Sequence, residues 1–154
     1  WAEGVGVSTE STLTITGGTI TGRGTSSSGS GIGVLVYGSS TGTISNANIL
    51  GEGKGSTRGI SLESSELILS DTDIMANGIS GTKHGIYTSG DGKLTVISGS
   101  IVASESTGMS RGIYETDNSS YEIILSTTTN PFFNLCTILH KVKKVNKKHL
   151  ISVF

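Results

Sequence analysis

Cysteine and proline are each reduced to a single residue, Cys136 and Pro131, and aromatic residues make up only 5% of the chain. A lone cysteine excludes an internal disulfide framework, so any stability must come from packing or from repeat stacking. No run of 18 apolar residues occurs, which excludes a membrane-spanning helix within these residues. The sequence has no initiating Met and no signal-peptide pattern, and Trp1 opens directly onto repeat-like sequence. The expectation is therefore a fragment, with any export signal or anchor outside it.

Acidic residues are missing from the C-terminal end. All 12 acidic residues precede residue 131, together with 6 of the 11 Lys and Arg, which gives 6 − 12 = −6. From Pro131 onward there are 5 basic residues and no acid, which gives +5. Such a break marks a boundary, dividing the chain into residues 1–130 and a basic tail, 131–154.

What the sequence has in abundance is small and β-branched residues: 23 Gly and, counting Ser and Thr together, 45 hydroxyl residues. Gly and Ser alone would suggest a flexible linker, but Ile, Val and Thr recur throughout and suit strands. One motif, Gly followed by Ile or Val, recurs as Gly6-Val7, Gly33-Val34, Gly59-Ile60, Gly85-Ile86 and Gly112-Ile113, at spacings of 27, 26, 26 and 27. A second follows it: Leu13-Thr14-Ile15, Gly42-Thr43-Ile44, Leu67-Ile68-Leu69, Leu94-Thr95-Val96 and Tyr121-Glu122-Ile123. Ile20, Ile49, Ile74 and Ile101 form a third anchor.

Each unit thus offers three short strands. Helical repeats would need 3.6-residue periodicity and would lose about 1 kcal/mol at each Gly. Leucine-rich repeats need a Leu ladder with a fixed Asn, and propeller blades need longer units. The remaining solution is an all-β, single-stranded right-handed parallel β-helix of about five coils. Alternation assigns Val34 and Val36, Ile60 and Leu62, and Leu67 and Leu69 to its interior. Val7, Val34, Ile60, Ile86 and Ile113 are expected to form one inward ladder. The Gly before each of these residues is expected at a corner with positive φ. Ser-, Thr- and Gly-rich loops between the third strand and the next Gly should absorb length variation. The fifth unit decays: Glu115 falls in an inward slot, Tyr121 replaces a Leu, and no Gly follows Gly112.

The segments Leu13-Thr14-Ile15-Thr16-Gly17-Gly18-Thr19-Ile20 and Gly85-Ile86-Tyr87 resemble rungs of autotransporter passenger domains of Gram-negative bacteria, over roughly residues 4–128. Pectate-lyase-like enzymes and phage tailspikes share such rungs. The resemblance implies a pectate-lyase-like right-handed β-helix exported by type V secretion through an outer-membrane barrel of the same polypeptide. It further implies a surface-displayed or released stalk, an adhesin facing a host-cell surface protein or glycan. The implied location is extracellular or on the cell surface.

Candidate chemistry is sparse. Asp71 and Asp73 lie on one side of a strand, with Asn46 and Asn48 on one neighbouring coil and Ser98 and Ser100 on the other. Two carboxylates fall short of a calcium site, which needs six or more oxygens, and of a glycan-cleaving cluster. They read as an acidic turn. His84-Gly85 has the His-Gly step of polygalacturonases without their Asp cluster or Arg-x-Lys. His84 instead occupies the repeat position of Arg58 and Arg111, so the three should form an outer basic column, with His84 disfavoured from protonating between two cations. Tyr87 and Tyr114 share an outward slot above Ser61 and read either as a sugar- or protein-binding pair or as cross-strand packing. The column Thr14, Thr43, Ile68, Thr95, Glu122 interrupts any ice-binding Thr ladder. Gly51-Glu52-Gly53-Lys54-Gly55-Ser56-Thr57 lacks phosphate-loop spacing and reads as a loop.

In the tail, Asn130 as N-cap and Pro131 at the first helical position suit a helix carrying Leu135, Ile138, Val142 and Val145 on one face. Three readings stand: a cap over the open end of the stack, a basic helix for a membrane or nucleic acid, and out-of-frame sequence after a truncation. For the whole chain the expected function is a passenger or adhesin stalk, not an enzyme, with no cofactor, no metal and no nucleic-acid partner. The alternative is a pectin-lyase-like polysaccharide-processing enzyme or a tailspike fragment. The candidate interaction surface is Tyr87, Tyr114, Arg58, His84 and Arg111.

Overall fold

The structure is a computed structural model and describes residues 1–104 and 108–123. The first coil comprises β1 (Ala2–Val7), β2 (Thr12–Thr16) and β3 (Thr19–Arg23). The second comprises β4 (Gly31–Tyr37), β5 (Thr41–Ser45) and β6 (Asn48–Gly53). The third is β7 (Thr57–Glu63), β8 (Glu66–Ser70) and β9 (Thr72–Gly78), and the fourth β10 (Lys83–Ser89), β11 (Lys93–Val96) and β12 (Gly99–Ala103). A fifth coil begins with β13 (Ser110–Glu115) and β14 (Ser120–Ile123). Each strand pairs in parallel with its counterpart one coil away, giving three sheets ordered β1-β4-β7-β10-β13, β2-β5-β8-β11-β14 and β3-β6-β9-β12. The chain is an all-β solenoid of four complete coils and the start of a fifth, with no helix among the described residues.

Stacking places like on like. Val34, Ile60 and Ile86 follow one another in register and have no exposed surface. In the second sheet Ile44, Leu69 and Val96 align, and in the third Ile20, Ile49, Ile74 and Ile101. These ladders form the core, and each fully buried Val, Leu or Ile contributes roughly 1.5–3 kcal/mol.

Two expectations need correction. The first coil's register is displaced by two residues: Val5, not Val7, pairs with Val34, and Val7 pairs with Val36. The repeat therefore begins at Gly4, and the first coil is longer than the others. A two-residue shift leaves every side chain on its own face, so Val7 still packs against the core.

The repeat Gly residues are also not at corners. Gly4, Gly33, Gly59 and Gly85 lie inside strands, and none has positive φ. A Cβ on Gly59 would fall 2.3 Å from Cγ2 of Ile74 and 2.6 Å from the carbonyl oxygen of Gly85. Gly33 faces Ile49 and Gly85 faces Ile101 in the same way. These glycines make room for the third-sheet isoleucine ladder and for the next coil's backbone. Because Gly59 and Ile60 both face inward, alternation breaks there. Arg58 and Ser61, three residues apart, consequently share the outer face and hydrogen-bond at 2.8 Å.

Corners with positive φ occur elsewhere. Between the second and third strands the chain always takes three steps, from Thr16 to Thr19, Ser45 to Asn48 and Ser70 to Asp73. Gly17 (φ 75°), Asn46 (φ 52°) and Asp71 (φ 47°) stack there, residue types that tolerate the left-handed region. The third corner absorbs most of the length variation, as expected: Arg23 to Gly31, Glu52 to Thr57 and Asn77 to Lys83 all join equivalent positions. The helix expected from Pro131 lies outside the described residues.

Candidate interaction surface

The outer face of the first sheet carries two columns over coils three to five. Arg58, His84 and Arg111 are in register, and beside them so are Ser61, Tyr87 and Tyr114. The break in alternation at the repeat Gly brings the columns together. The His84 ring stacks on Tyr87, with centroids 5.7 Å apart and planes 19° apart, and lies 4.7 Å from Tyr114. The two tyrosine rings are 5.8 Å apart. The Arg58 guanidinium sits 3.8 Å over the Tyr87 ring, and that of Arg111 sits 4.0 Å over Tyr114. All five sequence-selected residues thus form one cluster.

Its electrostatics follow from packing. His84 is 6% exposed, and its Nε2 is buried without a hydrogen-bond partner. Burial, then the charges of Arg58 and Arg111, lowers its pKa from 6.5 to about 4, so the imidazole is neutral at physiological pH. Arg58 donates to Ser61 Oγ and pairs with Glu63 at 3.5 Å, while Ser61 donates to Glu63 Oε1 at 3.1 Å. Arg111 makes no such ion pair among the described residues. Tyr87 Oη lies 3.4 Å from Thr116 Oγ1.

A guanidinium lies over each tyrosine ring, and the imidazole contacts both rings. Of the two readings of the pair, cross-strand packing is the one this geometry favours. Arg58, Arg111 and both tyrosines remain partly exposed, while His84 is buried among them.

The acidic pair is explained locally. Asp71 holds a left-handed corner and accepts from Ser98 Oγ at 2.8 Å, and Asp73 accepts from Ser100 Oγ at 2.6 Å. Asp73 is on the third sheet and Asp71 at the corner before it, whereas His84 is on the first sheet. Among the described residues no group of three His, Cys, Asp or Glu side chains could hold a metal ion.

Two features escaped sequence reasoning. Lys83 is fully buried, its stem passing Gly78 and its Nζ donating to the Gly81 carbonyl at 3.1 Å. No signal marks it, since it fills the slot taken by Thr57 and Ser110 in neighbouring coils. The third sheet also carries an outward apolar ladder, Leu50, Met75 and Val102, with Met75 and Val102 exposed. The alternation of the Ile anchors contained this signal.

No family model matches the sequence, and no curated protein or solved structure matches it. The fold assignment accordingly stands on strand register and core composition.

Proposed function

We propose that the chain is a β-helical section of a secreted or surface-displayed passenger, acting as a stalk and presenting the Arg58–His84–Arg111 face to a host-cell surface protein or glycan. The observation that supports this reading is the coil stack itself. Stacked coils form a rigid rod with repeating outer columns, and one of those columns concentrates aromatic and Arg side chains, the residue types enriched where proteins meet partners. In the full polypeptide an outer-membrane barrel would carry the section outward.

The test is antibody labelling of intact cells expressing the chain in its native context, compared with permeabilised cells. Labelling without permeabilisation supports display. Signal only after permeabilisation, with none in the medium, overturns it.

We also propose that the chain cleaves no glycan. Asp71 and Asp73 are held by Ser98 and Ser100 and do not converge with His84. Turnover of polygalacturonate by the purified chain, lost on changing any one of the three, would overturn this second statement.

A further inference from the structure

We propose that Arg111, with Arg58 on the far side of His84, forms an oxyanion-binding strip that takes sulfate or carboxylate groups of an acidic glycan chain lying along the solenoid axis. The inference rests on the reading of this face as an interaction surface and adds the chemistry of its ligand.

Four observations converge on it. First, Arg111 lies over Tyr114 at 4.0 Å, which holds the guanidinium against the ring, and the residue stays partly exposed. A guanidinium held in this way can grip a carboxylate or sulfate bidentately through its N–H fork. Second, no carboxylate of the described residues pairs with Arg111, whereas Arg58 is partly neutralised by Glu63. The cluster therefore keeps a net positive charge on a section that is otherwise acidic. Third, each tyrosine ring already carries a guanidinium over it and lies against His84, which shrinks the platform left for a sugar ring and puts recognition on charge. Fourth, the strip runs parallel to the axis. Coils repeat at about 4.8 Å, which puts the backbones of Arg58 and Arg111 roughly 10 Å apart, on a scale suited to a chain with sparse, regular anions. Densely charged nucleic acid would meet the acidic remainder of the stack.

His84 reports occupancy. It faces Arg58 and, through it, Glu63 on β7, Tyr87 on its own strand, and Arg111 and Tyr114 on β13. An anion on the strip offsets the two cations and makes protonation of His84 easier. By linkage, such a ligand binds more tightly as pH falls towards 4.

The experiment titrates the full chain with a κ-carrageenan octasaccharide, which carries one sulfate per disaccharide, an oligogalacturonate of equal length, neutral dextran and duplex DNA, following heat and the His84 ring signals. Binding of either acidic saccharide supports the proposal, and which of the two binds identifies sulfate or carboxylate as the source. The expected pattern includes an upward shift of the His84 pKa, a loss of at least about tenfold in Arg111→Ala and a smaller loss in Arg111→Lys, because Lys lacks the fork. Lys93→Ala, on another sheet, should bind as the parent does, and an unchanged thermal midpoint in Arg111→Ala shows that the fold is intact. No binding by either acidic saccharide, equal losses in the Arg111 and Lys93 variants, or equal affinity for dextran or DNA overturns it. Binding by a chain that is never displayed on cells would uphold the strip while removing the passenger reading; display without binding would do the reverse.

Discussion

His84 sits between Arg58 and Arg111 with its Nε2 buried, and acid should destabilise the fold through it. The folded-state pKa is about 4, below the ordinary 6.5 expected of the unfolded chain. Between those values the unfolded state binds the extra proton. Stability is therefore full above pH 6.5, declines as pH falls through the window and levels off below 4. The full span corresponds to about 3 kcal/mol at 1.36 kcal/mol per unit. The flanking guanidiniums are partly exposed and screened by solvent, so about 1 kcal/mol is expected between pH 7 and pH 5. The perturbation is His84→Gln, which keeps a polar side chain but cannot titrate. The assay is urea unfolding followed by circular dichroism at pH 7, 6 and 5, in both proteins. Other groups titrate alike in the two and cancel. The difference in stability between the parent and His84→Gln should shift by about 1 kcal/mol against the parent at pH 5. Equal pH dependence in the two, or a His84 ring that titrates near 6.5, would refute the reasoning.

Further outcomes are expected from the core and corners. Ile60→Ala removes a fully buried side chain from the middle of the first ladder and should cost about 2–5 kcal/mol in urea unfolding. Gly59→Ala forces a methyl against Ile74 and the Gly85 carbonyl, so a loss of about 1–3 kcal/mol is expected, whereas a corner role would predict a similar loss only if φ were positive. Asn46→Gly should change the midpoint little, while Asn46→Val, β-branched at φ 52°, should cost about 1–2 kcal/mol.

The fold was legible because its period is carried by residues that stack: the second and third anchors align in every coil without a slip. The first coil was misaligned because Gly4-Val5 and Gly6-Val7 present the same doublet two residues apart. Strand alternation cannot separate them, since either choice faces Val inward. The second and third anchors could, since Leu13 to Gly42 and Ile20 to Ile49 both span 29 residues. The role of the repeat Gly is not legible because sequence does not distinguish a positive φ from a close approach, and only the position of Ile74, across the same coil from Gly59, decides. The Arg58–His84–Arg111 column could be read from position in the repeat, and so could the Tyr87–Tyr114 pair. Their merger into one cluster could not, because it depends on the broken alternation at Gly85. Lys83 was illegible for a plainer reason: lysine is almost never fully buried, and nothing nearby announces the carbonyl that receives it.

The register of the coils carries every statement about the outer columns, and paired cysteines measure it directly. In a Cys136→Ser background, Ile68→Cys with Thr95→Cys places two thiols on register partners of adjacent coils, both facing outward. Adjacent strands lie about 4.8 Å apart, within the reach of about 7 Å between Cα atoms that a disulfide allows. Thr14→Cys with Thr95→Cys joins the same outer column three coils apart, at roughly 14 Å, beyond that reach. Mild oxidation of the folded protein should cross-link the first pair and leave the second free. A cross-link in the second pair, or none in the first, would contradict the stacked three-strand coil.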